Sequence, residues 1–433
     1  MNMNKNIAKE LIDFLYEGPT AYNAVKSISK WLVSEGFTEL KSEDKWSLKT
    51  GDKCFVVKNG SAVVAFEVGE GLVGDNGFKM IGAHTDAPGF RIKPSAQIVA
   101  EKNYVKLNTE VYGGPILSTW FDRPLAIAGR VSLISENPLK PVNKVININK
   151  PIMIIPNLAI HMNREVNSGY AFNAQKDTMP LLTLTNGKEV TEDLLLKLIA
   201  DELNVEVKDI LSFELMPYEY EKGSLIGLNE ELISMGRLDD LSMVYAGLKA
   251  LTSAKVKKGV NVMFCYDNEE VGSRTKQGAG SPFFHELLER IVIAMGESRE
   301  DYFRAVANSF LISADLAHAV HPNYGEKHDP VVRPVLGKGP VIKIAASQSY
   351  STDSESSAVY EAVCKKAGVN VQSFVNRSDV RGGSTIGPIA SGHLPVRTVD
   401  MGTAVLSMHS VRELMAVNDY IDTVKSFEEF YNL

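Results

Sequence analysis

Residues 259–273 read GVNVMFCYDNEEVGS. The first half is short, apolar and β-branched and is bounded by polar residues, which predicts a buried strand. The second half puts two glutamates, Glu269 and Glu270, side by side at the end of that strand. Adjacent carboxylates repel, so something must compensate them. The stretch therefore makes two claims. The chain contains a buried sheet, and the ends of its strands carry chemistry.

Working outward from residue 236, strands and helices alternate. DLSMVYAGLKALTSA (240–254), SPFFHELLERIVIAM (281–295) and DSESSAVYEAVCKKAG (353–368) have helical texture. SFLISAD (309–315), GPVIKIA (339–345), NVQSFVN (370–376) and LPVRTVDMG (394–402) read as strands, and SFEEFYNL (426–433) closes a final helical region. Toward the N-terminus, Thr20 caps a predicted helix that stops at Gly36, and Asn59-Gly60 is the turn of a predicted hairpin. FKMIGAHTD (78–86) is a further strand. From about 95 to 235 the texture changes to alternating β segments interrupted by one helix, TEDLLLKLIADEL (191–203). The fold class that follows is α/β: a mixed sheet with helices on both faces, assembled from residues 1–94 and 236–433 and interrupted by a β-rich insertion over 95–235.

The 433 residues are 44% apolar and 23% charged, with a net charge of −7. This is the composition of a globular chain with a sizeable core, and it carries no basic excess that would point to nucleic acid. The three cysteines, Cys54, Cys265 and Cys364, are far apart and form no CxxC, which fits a reducing compartment. The N-terminus has no signal-peptide core, and no window approaches eighteen uninterrupted apolar residues. The expected location is the cytoplasm.

Open α/β sheets bind ligands beyond the carboxyl ends of their strands. There the sequence offers His84 and Asp86, then Glu269 and Glu270, then Asp315, His318 and His321. Asp239 and Asp240 stand before a helix, and His409 follows a loop. Each has an ordinary reading: the aspartate pair caps a helix, and Asp315 caps a turn. Taken together, carboxylates and imidazoles on several strand ends converge only if a cation compensates them, and divalent metals do so economically.

These residues lie in longer motifs: EGPTAYNAV, GAHTDAPGFRIKP, TWFDRPLAIAGRV, GRLDDLSM, DNEEVGS, SADLAHAVHPNY, GPVIKI, GSTIGPI and MHSVRE. In this order the chain resembles the aspartyl aminopeptidase family of dinuclear metallopeptidases along essentially its whole length. The resemblance implies two divalent metal ions per subunit, Zn2+ foremost, with Mn2+ or Co2+ suiting the same ligands. It implies His84 and Asp315 on one metal, Glu270 and His409 on the other, and Asp239 bridging, with Asp240 the alternative. Glu269 matches the general base. Asp86 matches the carboxylate that orients the histidine of a His-x-Asp pair. His318 and Lys343 match substrate-contacting positions, and His161 matches a histidine delivered by a neighbouring subunit.

The implied activity is release of an N-terminal residue, Asp or Glu preferred, from short peptides. The implied assembly is a homo-oligomer built from dimers through the insertion, up to a dodecamer. Neither nucleic acid nor membrane is an implied partner. Arg381, in a DVRGGSTIG stretch that departs from some relatives, is a candidate contact for an acidic side chain. The alternatives are a dinuclear deacylase of N-acyl amino acids and a non-catalytic assembly scaffold.

Overall fold

The computed structural model describes residues 2–185, 187 and 193–433. The chain divides into two compact units. The first comprises Met1–Asp86, Gly223–Met408 and Glu413–Leu433. The second comprises Ala87–Lys222 with the short segment His409–Arg412.

The first unit is built on a nine-stranded sheet. In chain order its strands are β1 (Thr38–Glu39), β2 (Lys53–Lys58), β3 (Ala62–Val68), β4 (Phe78–His84), β5 (Val260–Tyr266), β6 (Phe310–Ala314), β7 (Val341–Lys343), β8 (Gln372–Phe374) and β9 (Arg397–Gly402). In space they run β1-β2-β3-β5-β4-β6-β9-β7-β8. The central four, β5, β4, β6 and β9, are parallel to one another. On either side β3 pairs antiparallel to β5 and β7 antiparallel to β9, so the sheet is mixed.

Every residue of β5 is buried, as expected for a strand covered on both faces. Alternate residues of β3 enter different cores. Val63 and Ala65 pack with the helices Ala21–Ser34, Leu238–Ser253 and Val417–Tyr431, while Val64 and Phe66 pack with the helix Phe283–Ala294. This period of two delivers one strand to both helical layers.

Local signals act where the sequence placed them. Thr20 accepts the Asn23 N–H at 3.4 Å and opens the helix Ala21–Ser34. Asn59 and Gly60, both with positive φ (56° and 71°), turn β2 into β3. The sequence reading does not contain the helices Asn2–Glu17, Val73–Asn76, Arg299–Ala307 and Ile386–His393. The final helix starts well before residue 426, at Val417. A small five-stranded sheet in the same unit pairs Leu232–Met235 with Glu413–Ala416, which ties residues 223–235 to the first unit.

The second unit holds two three-stranded sheets. One is formed by Ile210–Glu219, Leu125–Leu133 and Val142–Met153, the other by Gly89–Ala100, Tyr104–Tyr112 and Leu181–Leu184. Its own core centres on Phe90, Leu107, Trp120, Leu125, Ile127 and Leu215. The helix expected over 191–203 runs from Leu194 to Leu203, and residues 191 and 192 lie outside the described residues. Among the described residues no helix is long and apolar enough to cross a membrane.

Candidate metal centre

The carboxyl ends of the parallel strands β4, β5 and β6 deliver His84, the 267–270 segment and Asp315 to one place. His84 is the last residue of β4 and is fully buried. Its backbone N–H donates to Asp240 Oδ2 (3.0 Å), and Nδ1 lies 3.0 Å from the Asp86 carbonyl. Nε2 faces Asp239 Oδ1 at 3.4 Å.

The second contribution comes from the start of the helix Leu238–Ser253. Arg237 takes a left-handed φ of 62°, and Asp239 leaves helical geometry (φ −80°, ψ 108°) before a cis peptide to Asp240. The Asp239 N–H donates to Glu413 Oε2 at 3.0 Å. Asp315 follows β6 and donates its N–H to the Met401 carbonyl (2.9 Å). A Cβ on Gly402 would fall 1.9 Å from the Asp315 carbonyl oxygen, so this crossing admits only glycine.

Ligand atoms of His84, Asp239, Asp240 and Asp315 lie within 4.8 Å of one another, and so do those of His84, Glu269 and Glu270. The glutamates sit in a short 3-10 turn, Glu269–Val271, entered through Asn268 at φ 60°. The Asp86 carboxylate holds that turn, accepting the N–H of Glu269 on Oδ1 (3.1 Å) and of Glu270 on Oδ2 (3.2 Å). The same carboxylate stands 3.4 Å from His84 Nδ1, so it touches both the histidine and the glutamate pair.

The electrostatics are lopsided. Burial, then Asp315 and Asp239, push the Asp240 carboxyl well above the ordinary range against the pull of His84. Burial raises Asp315 too, opposed chiefly by Lys343. Burial, with Asp315, Asp86 and Asp239 adding to it, lifts Glu269 to about 8 against His84. Burial works to lower His84, but Asp240, Asp239 and Asp86 outweigh it and hold the imidazole well above its usual value. Among the described residues the buried Asp240 Oδ1 accepts no hydrogen bond. A fully buried carboxylate oxygen without a donor is costly unless a cation faces it. One imidazole and several carboxylate oxygens, close together and short of positive charge, form the ligand chemistry of zinc or a similar divalent ion. The residues fit such an ion.

The other expected residues are distributed as follows. Lys343 is buried at the end of β7, with Nζ 3.5 Å from Asp315 Oδ2, 3.1 Å from the Leu316 carbonyl and 5.3 Å from the Tyr350 ring centroid. His318 is exposed and lines a cavity of about 190 Å³ with Lys327, His328, Arg377 and Arg381. Arg381 also lines a neighbouring cavity of about 950 Å³ that contains Ser347, Gly383 and Ser384. In the second unit, His161 is exposed on the irregular stretch 156–180. His409 belongs to the second unit as well, where Nδ1 lies 3.0 Å from the Gly114 carbonyl.

Two participants are not singled out by the sequence. Asp240 was the second choice within its pair, and spacing cannot say which of two adjacent aspartates turns inward when the helix start is irregular. Glu413 sits in the quoted motif MHSVRE but had no role. Only the pairing of Glu413–Ala416 beside Leu232–Met235 brings it to the Asp239 N–H.

A buried histidine–carboxylate cluster at the carboxyl ends of parallel strands defines a metal-site protein of the α/β class. The family model described as "Aminopeptidase I zinc metalloprotease (M18)" matches residues 14–431. A Clostridium novyi (strain NT) protein named "Probable M18 family aminopeptidase 2" is 61% identical over 426 residues, covering 98% of each chain. Among solved structures, a cryo-EM structure of an Ape4 and Nbr1 complex aligns with TM-score 0.95 at 36% identity, covering 99% of this chain and 86% of the other. The Saccharomyces cerevisiae mApe1 dodecamer aligns with TM-score 0.86 at 27% identity, covering 100% and 97%. The chain belongs to the M18 family of metal-dependent aminopeptidases, which are zinc metalloprotease hydrolases.

Proposed function

We propose that this aminopeptidase removes an N-terminal residue, acidic ones preferred, from short peptides, using two divalent metals and Glu269 as general base. The buried cluster around His84 carries this reading. His84 and Asp315 would hold one ion, Glu270 and His409 the other, and Asp239 would bridge them. Zinc is the first choice and agrees with the family description, while manganese and cobalt suit the same donors. Bound metals supply Lewis acidity and a water whose pKa falls toward neutrality.

The chain's own groups do the rest. Glu269 accepts the proton of the attacking water and returns it to the leaving amine. Asp86 holds Glu269 in place through the backbone N–H and keeps His84 oriented. Lys343 offsets the charge of Asp315 and stands beside the substrate space. His161, supplied by a neighbouring subunit, would donate to the oxyanion.

The acidic preference is supported by the cavity beside His318. Lys327, Arg377 and Arg381 all line it, and Arg377 Nε bonds Asp379 Oδ1 at 2.7 Å. A carboxylate side chain needs such donors. Homo-oligomerisation through the β-rich unit, up to the dodecamer seen for mApe1, would place His161 against a partner's site. Three free, buried cysteines support a cytoplasmic location.

A release assay over all N-terminal residues, with metal content measured in the same sample, tests the whole reading. The expected result is two metals per chain and a preference for Asp and Glu that falls about 10–100-fold in Arg381→Ala, as expected for loss of a charge-assisted contact. Uniform release of all residues would refute the preference and leave the aminopeptidase intact.

A further inference from the structure

Within the second unit lies a buried acid that the mechanism above does not use. Glu219 ends the strand Ile210–Glu219 and is buried. Its carboxylate is held between two guanidinium groups, Arg123 Nη1 at 2.5 Å from Oε1 and Arg412 Nε at 3.0 Å from Oε1 and 2.9 Å from Oε2. Both arginines continue into the backbone around them. Arg123 Nε donates to the Thr119 carbonyl (2.7 Å), and Arg412 Nη2 to the carbonyls of Glu221 (2.8 Å) and Lys222 (3.3 Å).

Thr119 closes the ring. Its Oγ1 donates to the Ile116 carbonyl (2.7 Å) and accepts the Val411 N–H (3.0 Å). The Ile116 N–H in turn donates to the His409 carbonyl at 3.0 Å. The segment His409–Arg412 is thus fastened to the stretch 114–123 directly at His409 and Val411, and through Glu219 at Arg412. His409 itself is held at φ 67°, a left-handed conformation that a non-glycine residue keeps only when its surroundings impose it. Its Nδ1 faces a carbonyl oxygen, which can only accept, so Nδ1 carries the proton and Nε2 keeps its lone pair. That is the tautomer a metal ligand needs.

We propose that Glu219, with Arg123 and Arg412, is a positioning residue that fixes the backbone and tautomer of His409 as a metal ligand. This inference rests on the reading of His409 as a ligand. A buried carboxylate flanked by two guanidiniums is a rigid anchor, because loss of Glu219 takes the shared acceptor from both Arg123 and Arg412 at once. The anchor reaches His409 through Thr119 and Arg412.

The test is zinc binding to the full chain, titrated against a chromophoric chelator, with thermal unfolding followed on the same samples. Wild type should bind two ions. His409→Ala should lose one of them. Glu219→Gln should weaken that same ion by about 10–100-fold and leave the other unchanged. Thr119→Val, which keeps the shape and removes the bond to Val411, should weaken it by about 3–10-fold, a single-contact effect. It decides the matter if Glu219→Gln fails to fold. If His409→Ala binds both ions like wild type, the ligand reading is wrong and the proposal goes with it. If His409→Ala loses one ion while Glu219→Gln and Thr119→Val bind like wild type, the ligand reading stands and the positioning role is overturned. Lower melting temperatures without a change in zinc affinity would likewise reduce the ring to a structural brace.

Discussion

Two sets of buried acids in the first unit share their degree of burial and differ in their surroundings. Asp400 is fully buried, and each of its oxygens has a donor. Ser313 Oγ and Thr385 Oγ1 reach Oδ1 at 2.6 Å, and the Ser351 N–H reaches Oδ2 at 2.6 Å. Asp419 is equally buried and accepts the backbone N–H groups of Gly337 (2.6 Å) and Gly339 (2.8 Å). Asp240 is as deep as either, but one oxygen accepts only the His84 N–H and the other accepts nothing among the described residues. Its charged neighbours are further carboxylates, Asp315 and Asp239, besides His84. An acid surrounded by donors serves the fold. An acid whose neighbours are mostly acids, with His84 opposing them, is short of positive charge, and a metal ion would supply it.

The strongest way to break this contrast is to strip the metal. Chelation should abolish peptide hydrolysis, and zinc should restore it. Chelation should also lower stability by about 3–4 kcal/mol for each ion removed, relative to protein at about 100 to 1,000 times that ion's dissociation constant, measured as a shift in denaturant midpoint. Asp240→Asn should then change sign between the two states. In stripped protein it removes a buried charge and stabilises, whereas in loaded protein it weakens the site and destabilises. The same sign in both states would mean that Asp240 belongs with Asp400.

Next in size is Glu269→Gln, which keeps the shape and removes the proton acceptor. The expected loss in kcat is about 10²–10⁴-fold, the range for general acid–base groups, with metal content unchanged. Near-normal turnover would take Glu269 out of the reaction. Asp400→Ala, by contrast, should leave metal content alone and cost about 2–4 kcal/mol of stability, because two hydroxyls and one N–H lose their acceptor in the core. Loss of metal without loss of stability would erase the distinction between the two sets.

How far the sequence reveals this contrast follows from what each acid depends on. His84, Glu269 and Asp315 are legible because each stands at or within three residues of the end of an apolar run, and parallel strands bring their carboxyl ends together. The α/β character is legible for the same reason, since β5 is apolar along both faces. The partner of Asp239 is not legible. Glu413 lies 174 residues away and arrives only through a strand pairing. Lys343 is readable as a cation near the site, but its attachment to Asp315 depends on close packing past Gly402, which no local pattern encodes. The helix Arg299–Ala307 is hard to read despite the capping box that Ser298 and Asp301 form, because its own residues carry little apolar periodicity. His161 is the opposite case. It is exposed on an irregular stretch, and nothing in that stretch alone distinguishes a donor to a neighbouring subunit from a surface histidine.

The smallest effect sharpens the contrast most, because it concerns an acid that has donors but no cation. Burial pushes Asp419 up from an ordinary 3.8 to about 6, although the N–H groups of Gly339 and Gly337 pull it down. Backbone donors thus satisfy the oxygens without fully supporting the charge. Because the folded pKa is the higher one, folding favours the protonated form. The resulting stability is fully present below about pH 4 and is lost as pH rises through about 6. At 1.36 kcal/mol per pKa unit this amounts to at most about 3 kcal/mol. Asp419→Asn has no such dependence, so the difference in unfolding free energy between wild type and Asp419→Asn should shift against wild type between pH 4 and 7 and be flat above that. A difference that is constant across the whole range would show that two N–H groups alone can carry a buried carboxylate, and the shortage of charge around Asp240 would then be a weaker argument for a metal.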